Sequence, residues 1–514
     1  MGLRPAVKGL TSRWLAAAGL AAVVLGLGLR IFRLASQPMW YDELIAVDLA
    51  TLPGGLRGVW EAIVASGYPH PPLYIALLHL VFRPLSPSEL TARLPSILAS
   101  LAGFLALYLL LARTISRRAA LAGLAMLGIS PYAVYYAQEA RPYALMFLLT
   151  ALSLWLLWEA LSHERATWWV AYGVCGLALV YLHYFDWCIV AGEGLYVVYL
   201  SLRRGHWQRQ LLPFVLSLLG LPLAVPTLLH LVRASRDLGQ VVVLDVTPVA
   251  ISFGSTWMTL VSGESRYVPQ TARLVGLVAF AVLALLGAVD LARRKPDVLL
   301  LALAAMAVPF AFVFLGLPAL GHVVPPYEER QFIVSLPPML LLAAAGWDRL
   351  LGLIGSVRGK TIYIGLAAAL ALALTAANAV ALQRYYFSGF LKNLDVLPVG
   401  YLNARAGAQD VVVANSHSIA LSLKYHGNHV ADYVAKPRQT EGGWQFSRAL
   451  SIIDFDPGQW TVALPEVLAH RHVWLVSQKG YGDPLLREYL LLRAQPAETT
   501  EFGPFSVESF AGPP

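Results

Sequence analysis

The chain has 514 residues, of which 58% are hydrophobic and only 13% are charged. Soluble globular domains are typically about 25% charged, so this composition excludes an ordinary soluble protein and indicates a chain mostly embedded in a membrane. The net charge of +8 comes mainly from short stretches between apolar segments, which is a topology signal, and we expect no nucleic-acid partner. Cys175 and Cys188 both fall in apolar segments, so we predict buried residues and neither a disulfide framework nor a zinc site.

Eleven apolar segments predict membrane-spanning helices, each of which needs about 20 residues. The first resembles a signal sequence but lacks a small-x-small cleavage site, so we expect it to be retained. An odd number of spans places the two termini on opposite sides of the membrane. The predicted spans are 13–34, 90–112, 119–135, 141–161, 167–185, 187–202, 210–230, 271–291, 297–317, 331–352 and 361–383.

The basic residues predict the orientation, because cytoplasmic loops carry an excess of Lys and Arg. They concentrate in the N-terminal tail and in the loops near residues 113–118, 165, 203–209, 293–295 and 358–360. We therefore expect a cytoplasmic N-terminus, with the intervening loops outside. Residues 71–85 are apolar but too short to span, which predicts a helix lying at the outer interface.

From about residue 386 the sequence becomes more polar, and short apolar runs such as DVVVAN (410–415) and HVWLVS (472–477) appear between helical stretches. This pattern is typical of a small soluble α/β domain. We therefore predict two domains, a transmembrane domain over 1–385 and an extracytoplasmic α/β domain over 386–514.

Four short motifs share the predicted outer face, each beside the end of an apolar segment. Ionisable groups at the edge of hydrocarbon are costly, so their clustering is a hypothesis of a functional site. The motifs are WYDE (40–43), YPHPPLY (68–74), YYAQEARPYA (135–144) and YEERQF (327–332).

Each motif residue also has a simpler interpretation. Asp42 could cap the helix that follows it, since Asp is a favoured N-cap residue. Arg141 could extend along apolar surface to the membrane interface, and Arg330 could belong to a surface ion pair of little energetic weight. His70, before two prolines, could only shape a rigid turn. His183 could be a satisfied histidine at a helix end.

The combination of residue types favours glycosyl transfer from a sugar carried on a lipid phosphate. A carboxylate can serve as general base for an attacking hydroxyl. Arginine offers two parallel donors to phosphate oxygens and keeps its charge. Aromatic residues can stack on sugar rings; the candidates are Trp40, Tyr68, Tyr74 and Tyr143.

The same motifs resemble the lipid-linked glycosyltransferases of the GT-C superfamily. WYDE, HPPLY followed by SELTARLPS, YYAQEARPYA and the ER sequence before VSLPP carry the resemblance. The chain is similar in particular to the bacterial group that includes relatives of protein O-mannosyltransferases, the lipid A aminoarabinose transferase and the rhizobial core-oligosaccharide transferases. The resemblance is best over residues 36–150, with a weaker match at 327–345. It implies a polytopic α-helical GT-C fold with juxtamembrane helices, in the bacterial cytoplasmic membrane.

The resemblance also implies roles for single residues. Asp42 matches the family's base or acceptor-orienting aspartate, with Glu43 beside it, and Glu139 lies near a second acidic position. Arg141 and Arg330 are the expected contacts to the donor phosphate. The expected substrate-binding set is completed by His70, Tyr143, Tyr327 and Glu329.

One motif departs from the family pattern. The aminoarabinose transferase has Glu-Lys-Pro-Pro where this chain has Pro69, His70, Pro71 and Pro72. The lysine contact and any metal contact through that glutamate are therefore not carried over. Whether His70 takes over one of these two functions is left open. No cofactor is implied with certainty, and a divalent cation is left open.

The expected partners are a polyprenyl-phosphate sugar donor, membrane lipids and an acceptor that is a glycolipid, a polysaccharide or a protein. One competing class is a transporter or flippase of lipid-linked substrates, and another is a catalytically inactive membrane scaffold that presents the C-terminal domain. Transporters tend to place their charged sites near the membrane midplane, often within internal repeats. Here the charged motifs lie at the predicted outer rim, and no repeat is visible.

Overall fold

The computed structural model describes residues 19–65, 68, 70–205, 207–227, 229, 249–316, 329–356, 360–408, 410–428, 433–440, 443–447, 462–463, 472–479, 487, 491 and 496–511. The chain divides into two compact units. The helical unit contains residues 1–34, 69–77 and 93–390, and the C-terminal unit contains residues 35–68, 78–92 and 391–514.

The helices follow one another along most of the chain. In chain order they are α1 (Gly19–Ile31), α2 (Tyr41–Ala50), α3 (Gly55–Ala65), α4 (Leu73–Phe82), α5 (Glu89–Thr114), α6 (Arg117–Gly128), α7 (Pro131–Ala137), α8 (Tyr143–His163), α9 (Ala166–Leu182), α10 (Trp187–Arg204), α11 (Trp207–Ser217), α12 (Val249–Ser262), α13 (Gln270–Arg294), α14 (Pro296–Ala311), α15 (Leu336–Ser356), α16 (Lys360–Phe387), α17 (Val396–Arg405) and α18 (His417–His426). Short 3-10 helices lie at Tyr184–Asp186, Leu221–Ala224 and Glu329–Ser335, and a π-helical turn lies at Phe312–Gly316.

Each of the eleven predicted spans overlaps an apolar helix of the described chain, while residues 13–18, 228, 230 and 317 of these spans lie outside the described residues. Eight of these segments are long and apolar enough to cross a membrane, or nine if a bent helix pair counts as one span. The pair is α6 and α7, which meet at 65°, while α1 and α9 are apolar but shorter than a full span. The protein is therefore a multi-pass membrane protein, and α4 takes the place of the predicted interfacial helix.

The bend between α6 and α7 has a local cause. Ser130 caps α7 by accepting a hydrogen bond from the Ala133 amide (3.2 Å), and Pro131 occupies the first helical position. Ser and Pro at these positions start a new helix, because the proline has no amide hydrogen to continue the previous one. One predicted span is thus broken into two shorter helices.

Close helix contacts in the helical unit rely on glycine. A β-carbon on Gly287 of α13 would lie 1.9 Å from the Leu342 carbonyl oxygen, and one on Gly346 of α15 would lie 1.9 Å from the Leu283 carbonyl oxygen. Membrane helices associate mainly through such close packing of small residues. Two of the spans therefore fit together only with glycine at both positions.

The basic loops of the helical unit gather at one end of its helices. The Lys295 ammonium donates to the carbonyl oxygens of Thr114 (2.8 Å) and Ile115 (3.1 Å). Arg203 and Arg204 both contact Asp297, and Arg113 contacts Glu159 near the end of α8. Loops that were predicted to share the cytoplasmic side thus lie together, at the end of α8 opposite its first residue, Tyr143.

The described residues of the C-terminal part form a seven-stranded sheet in the order β4-β3-β2-β1-β5-β7-β6. The strands are β1 (Val411–Ala414), β2 (Tyr433–Thr440), β3 (Gly443–Ser447), β4 (Val462–Ala463), β5 (His472–Gln478), β6 (Pro496–Phe502) and β7 (Phe505–Ala511). β1 pairs in parallel with β2 and β5, and the other pairs are antiparallel. Helices α17 and α18 contribute Val399, Leu402, Ile419 and Leu423 to the core of this domain. The predicted α/β domain and its strands at 410–415 and 472–477 are confirmed.

Candidate active site

His70 and Arg141 lie in contact, although 71 residues separate them. The Arg141 Nη2 atom is 3.3 Å from His70 Nε2, and Arg141 as a whole is buried, with 2% of its surface exposed. Its backbone is also fixed, because the Ser96 hydroxyl donates to the Arg141 carbonyl oxygen (3.0 Å) and lies 3.0 Å from the Tyr74 hydroxyl. A side chain that is buried in this way is not an arginine reaching to the lipid interface, so that interpretation of Arg141 is wrong.

His183 and Tyr184 extend this contact from the far end of α9. The His183 ring centre lies 5.3 Å from that of His70, and the stacked Tyr184 ring lies 4.4 Å from His183 and 5.8 Å from His70. His183 Nδ1 accepts a hydrogen bond from the Phe185 amide (3.1 Å), as expected of a histidine that ends a helix. That interpretation is confirmed, and the same residue also contributes to the cluster.

Arg330 and Tyr143 come to the same place from two further segments. The Arg330 guanidinium carbon lies 5.7 Å from the centre of the Tyr143 ring, and the Tyr143 ring lies 6.3 Å from His183. The Tyr132 hydroxyl donates to the carbonyl oxygen of Glu329 (2.9 Å) and contacts that of Arg330 (3.3 Å). Next along the chain, the Gln331 amide donates to the Tyr184 hydroxyl (2.8 Å). We refer to His70, Arg141, His183 and Arg330 as the arginine–histidine cluster.

The histidines and the arginines of the cluster differ in charge near pH 7. Desolvation, followed by the nearby guanidinium group of Arg141, holds the pKa of His70 well below its usual value. Burial, again followed by Arg141 and Arg330, lowers the pKa of His183 to about 3. Both imidazoles are therefore neutral near pH 7, each with one N–H donor, while the arginines keep their positive charge. Such a combination suits an anion with several acceptor oxygens.

Glu329 was predicted to bind substrate, and its carboxylate contacts α12. Glu329 Oε1 accepts a hydrogen bond from the Ser255 hydroxyl (2.8 Å) and lies 3.5 Å from that of Thr259. The Arg273 guanidinium also donates to the Thr259 hydroxyl (2.8 Å). These contacts hold the start of the segment that carries Arg330, while the substrate role of Glu329 stays a prediction. Tyr327, predicted for the same role, lies outside the described residues.

Glu139 is buried, with 1% of its surface exposed, in the turn between α7 and α8. Close by in the helical unit is a second ionisable group that sequence reasoning missed. Glu264 accepts from the Tyr136 hydroxyl (3.0 Å) and pairs with Arg266 (2.8 Å), which also donates to the Tyr135 hydroxyl (3.1 Å). The available signal was the acid–base pair in the short GESRY sequence between two apolar segments. The catalytic role expected of Glu139 stays a prediction.

Asp42 and Glu43 lie in the first turn of α2, in the C-terminal unit. The helix begins at Tyr41, so its N-cap residue is Trp40, and the Glu43 carboxylate accepts the Trp40 amide hydrogen (3.3 Å). The hypothesis that Asp42 is the N-cap is therefore wrong, because the helix begins at Tyr41 and Asp42 lies inside its first turn. Glu43 is fully buried, whereas Asp42 is partly exposed.

No group of three or more His, Cys, Asp or Glu side chains within the described ranges could hold a metal ion. The sequence left a divalent cation open. Cys175 and Cys188 are free and buried, as predicted.

Comparison with known proteins identifies the fold. A family model described as dolichyl-phosphate-mannose-protein mannosyltransferase matches residues 69–230. No curated protein sequence matches the chain. Among solved structures, ArnT from Cupriavidus metallidurans in the apo state is similar at 14% identity and a TM-score of 0.58, covering 98% of this chain and 100% of ArnT.

A second ArnT structure from the same organism, bound to undecaprenyl phosphate, is similar at 13% identity with the same TM-score and coverage. The chain therefore has the fold of ArnT over nearly its full length. The resemblance to GT-C lipid-linked glycosyltransferases that the sequence motifs predicted is confirmed. At the level of that superfamily, the family match and the fold support a membrane glycosyltransferase that uses a lipid-linked donor.

Proposed function

We propose that this protein transfers a sugar from a polyprenyl-phosphate donor to an acceptor hydroxyl at the outer face of the bacterial cytoplasmic membrane. The observation that carries the proposal is the convergence of Arg141 and Arg330 on His70 and His183 at one end of the helical unit. This end is opposite to the one where the basic loops gather. A cationic cluster at a rim of a membrane bundle suits the phosphate of a lipid whose chain lies in the bilayer.

The cluster can stabilise the leaving group of the reaction. Prenyl phosphate gains negative charge as its bond to the sugar breaks, and preorganised donors aimed at that charge lower the barrier. The two guanidinium groups supply charged, forked donors, and each neutral imidazole supplies one uncharged donor. ArnT, whose fold this chain shares, binds undecaprenyl phosphate in one of its structures, which agrees with a polyprenyl carrier here.

Asp42 is assigned the role of general base. The acceptor oxygen attacks the anomeric carbon of the sugar, its proton passes to the Asp42 carboxylate, and the bond between that carbon and the phosphate oxygen breaks. The products are the glycosylated acceptor and prenyl monophosphate. Asp42 suits this role better than Glu43, because the Glu43 carboxylate is buried and holds the Trp40 amide, whereas Asp42 is partly exposed.

The aromatic rings beside the cluster suit the sugar. Tyr143 and Tyr184 both lie near His183, and an aromatic ring presents an apolar face on which a sugar can stack. The acceptor class is expected to be a glycolipid, a polysaccharide or a protein.

The decisive experiment is a turnover assay with the purified full-length protein. A short-chain prenyl-phosphate sugar is supplied, and released prenyl monophosphate and the transferred sugar are measured together. Equal amounts of both products support the proposal. Movement of intact donor across vesicle membranes without its cleavage would instead favour the transporter or flippase class, and the transferase assignment would then be wrong.

The orientation of the site is proposed from the distribution of basic loops and can be tested by cysteine labelling in sealed cells. An impermeant reagent should reach cysteines introduced at residues 50–60 and in the domain over 386–514, but not at 203–205. Background labelling should be low, since Cys175 and Cys188 are buried. Labelling at 203–205 would invert the orientation and place the cluster on the cytoplasmic side.

A further inference from the structure

The helix that carries Asp42 is covered by the C-terminal sheet domain within the same unit. Helix α18 packs against α2, and seven of the ten residues of α2 are buried. A helix of ten residues is marginal in isolation, so its position must come from tertiary contacts. Those contacts therefore decide where Asp42 is held.

The N-terminal end of α2 is fixed by two side chains of the C-terminal segment. The Met39 carbonyl oxygen accepts a hydrogen bond from the Asn393 amide (2.8 Å) and lies 3.2 Å from His426 Nε2. Asn393 is itself fixed, because its Oδ1 accepts from the Asp395 amide (2.9 Å) and its Nδ2 also contacts the Ser422 hydroxyl (3.1 Å). The chain that enters α2 is thus bound three residues before Asp42.

The opposite end of α2 is fixed by an ion pair. Asp48 is buried, with 1% of its surface exposed, and its Oδ1 accepts from the Lys424 ammonium (2.5 Å) and the Tyr425 hydroxyl (3.1 Å). Within the described structure its other carboxylate oxygen has no hydrogen-bond partner, so Lys424 is its counter-charge. A buried carboxylate that loses its counter-charge is strongly destabilised, so the position of α2 depends on Lys424.

Asp42 and Asp48 lie on different faces of the helix. Six residues at about 100° per residue rotate the second side chain by roughly 240° from the first. Asp48 is enclosed by the C-terminal domain, whereas Asp42 is partly exposed. The domain can therefore hold the helix without covering the carboxylate assigned as the base.

We propose that Lys424 and Asn393 are positioning residues, and that the C-terminal domain holds α2 so that the Asp42 carboxylate is kept at a fixed position for proton transfer. This inference rests on the proposed function of Asp42. Neither residue touches substrate in this scheme. Their effect on the reaction passes through the backbone of α2.

The test uses the substitution Lys424→Met in the full-length protein. Methionine keeps most of the length of the lysine side chain but removes its charge. Lys424→Arg is the conservative variant, which keeps the positive charge. The matched control is Lys479→Met, which removes an exposed ion pair with Glu501 (3.2 Å) on the same domain. We expect Lys424→Met to lower kcat by between about ten- and a hundredfold, as small displacements of a catalytic group do, with an unchanged KM for the donor. Lys424→Arg should recover most of the loss, and Lys479→Met should behave like the wild type.

Two further measurements separate positioning from a general loss of structure. Hydrogen exchange should become faster over residues 41–50 in Lys424→Met, while exchange over α5 stays unchanged. In an Asp42→Asn background, Lys424→Met should cause little further loss of turnover, because both changes act through one carboxylate. Equal losses in both backgrounds, or unchanged exchange over 41–50, would overturn the inference.

The failure of the proposed function would give a different result. A fully active Asp42→Asn protein would remove the base, whatever Lys424→Met does. Exchange over residues 41–50 would then still decide whether Lys424 holds α2.

Discussion

Two regions of this protein carry ionisable side chains, and they differ in charge and in construction. The arginine–histidine cluster of the helical unit combines two charged arginines with two neutral histidines, brought together from four separate segments. Helix α2 of the C-terminal unit instead presents adjacent carboxylates within one helical turn. The division of roles proposed above, with anion binding in one region and proton transfer in the other, matches this difference. Variants of the two regions should therefore affect different steps.

The largest effect is expected from Asp42→Asn. The substitution keeps the size of the side chain but removes the base, and general-base catalysis typically contributes about a hundred- to ten-thousand-fold. We expect turnover to fall by at least roughly a hundredfold, with donor affinity close to that of the wild type. Trp40 and Glu43 hold the start of the helix, so the fold should be retained. Turnover and equilibrium donor binding, measured on the same preparation, check this, and full activity would remove Asp42 from the mechanism.

Arg141→Ala and Arg330→Ala should show the complementary pattern. Loss of a charge-assisted hydrogen bond is worth about 1.5–3 kcal/mol, or roughly ten- to more than a hundredfold in donor affinity. Lysine should restore only part of this, because it lacks the planar fork. The matched control is Arg57→Ala, since Arg57 is exposed and pairs with Glu61 four residues later. Donor titration of each variant is the measurement, and wild-type affinity in both alanine variants would exclude them from the donor site.

The two regions also differ in how far the sequence predicts them. WYDE is contiguous and lies beside an apolar segment, so its position near a membrane boundary could be predicted from local pattern alone. The assignment of Asp42 as the N-cap was wrong, because the helix begins at Tyr41, two residues before the start that this assignment requires. A shift of one residue moves the capping position from one side chain to another.

The cluster could be predicted only in part, because it depends on long-range packing. His70 and Arg141 were selected from their motifs, but nothing local indicates that Tyr184 stacks on both histidines. Glu264 and Arg266 were not predicted as site residues, because a single acidic and basic residue in a loop is also typical of an ordinary protein surface. Eight or nine of the eleven predicted spans are long enough to cross a membrane in the described chain, because each needs a long continuous run of apolar residues. The break at Ser130 instead depends on a single capping interaction.

A third prediction concerns pH and sharpens the distinction between neutral and charged members of the cluster. The folded-state pKa of His183 is about 3, below the value of about 6.5 expected in the unfolded chain. The unfolded state therefore binds more protons between these values, so stability is lost as pH falls below about 6.5 towards 3. Thermal unfolding between pH 7 and 4.5 should show this loss. It should be smaller in His183→Asn, whose amide oxygen can still accept the Phe185 hydrogen bond. An equal loss in both proteins would mean that His183 is not held neutral.

The smallest effect is expected from Glu43→Gln, which tests whether the adjacent carboxylates of α2 really have separate roles. Glutamine keeps an oxygen that can accept the Trp40 amide hydrogen, and Gln serves as well as Glu at this position of a capping box. The favourable charge at the helix N-terminus is lost, which is worth about 0.3–1 kcal/mol of stability. We therefore expect turnover to fall by less than about tenfold, equivalent to 1.4 kcal/mol in the barrier. Turnover and thermal unfolding of Glu43→Gln and Asp42→Asn, compared in parallel, provide the check. If Glu43→Gln abolishes transfer while unfolding stays unchanged, Glu43 takes part in the chemistry, and the assignment of the base to Asp42 alone is wrong.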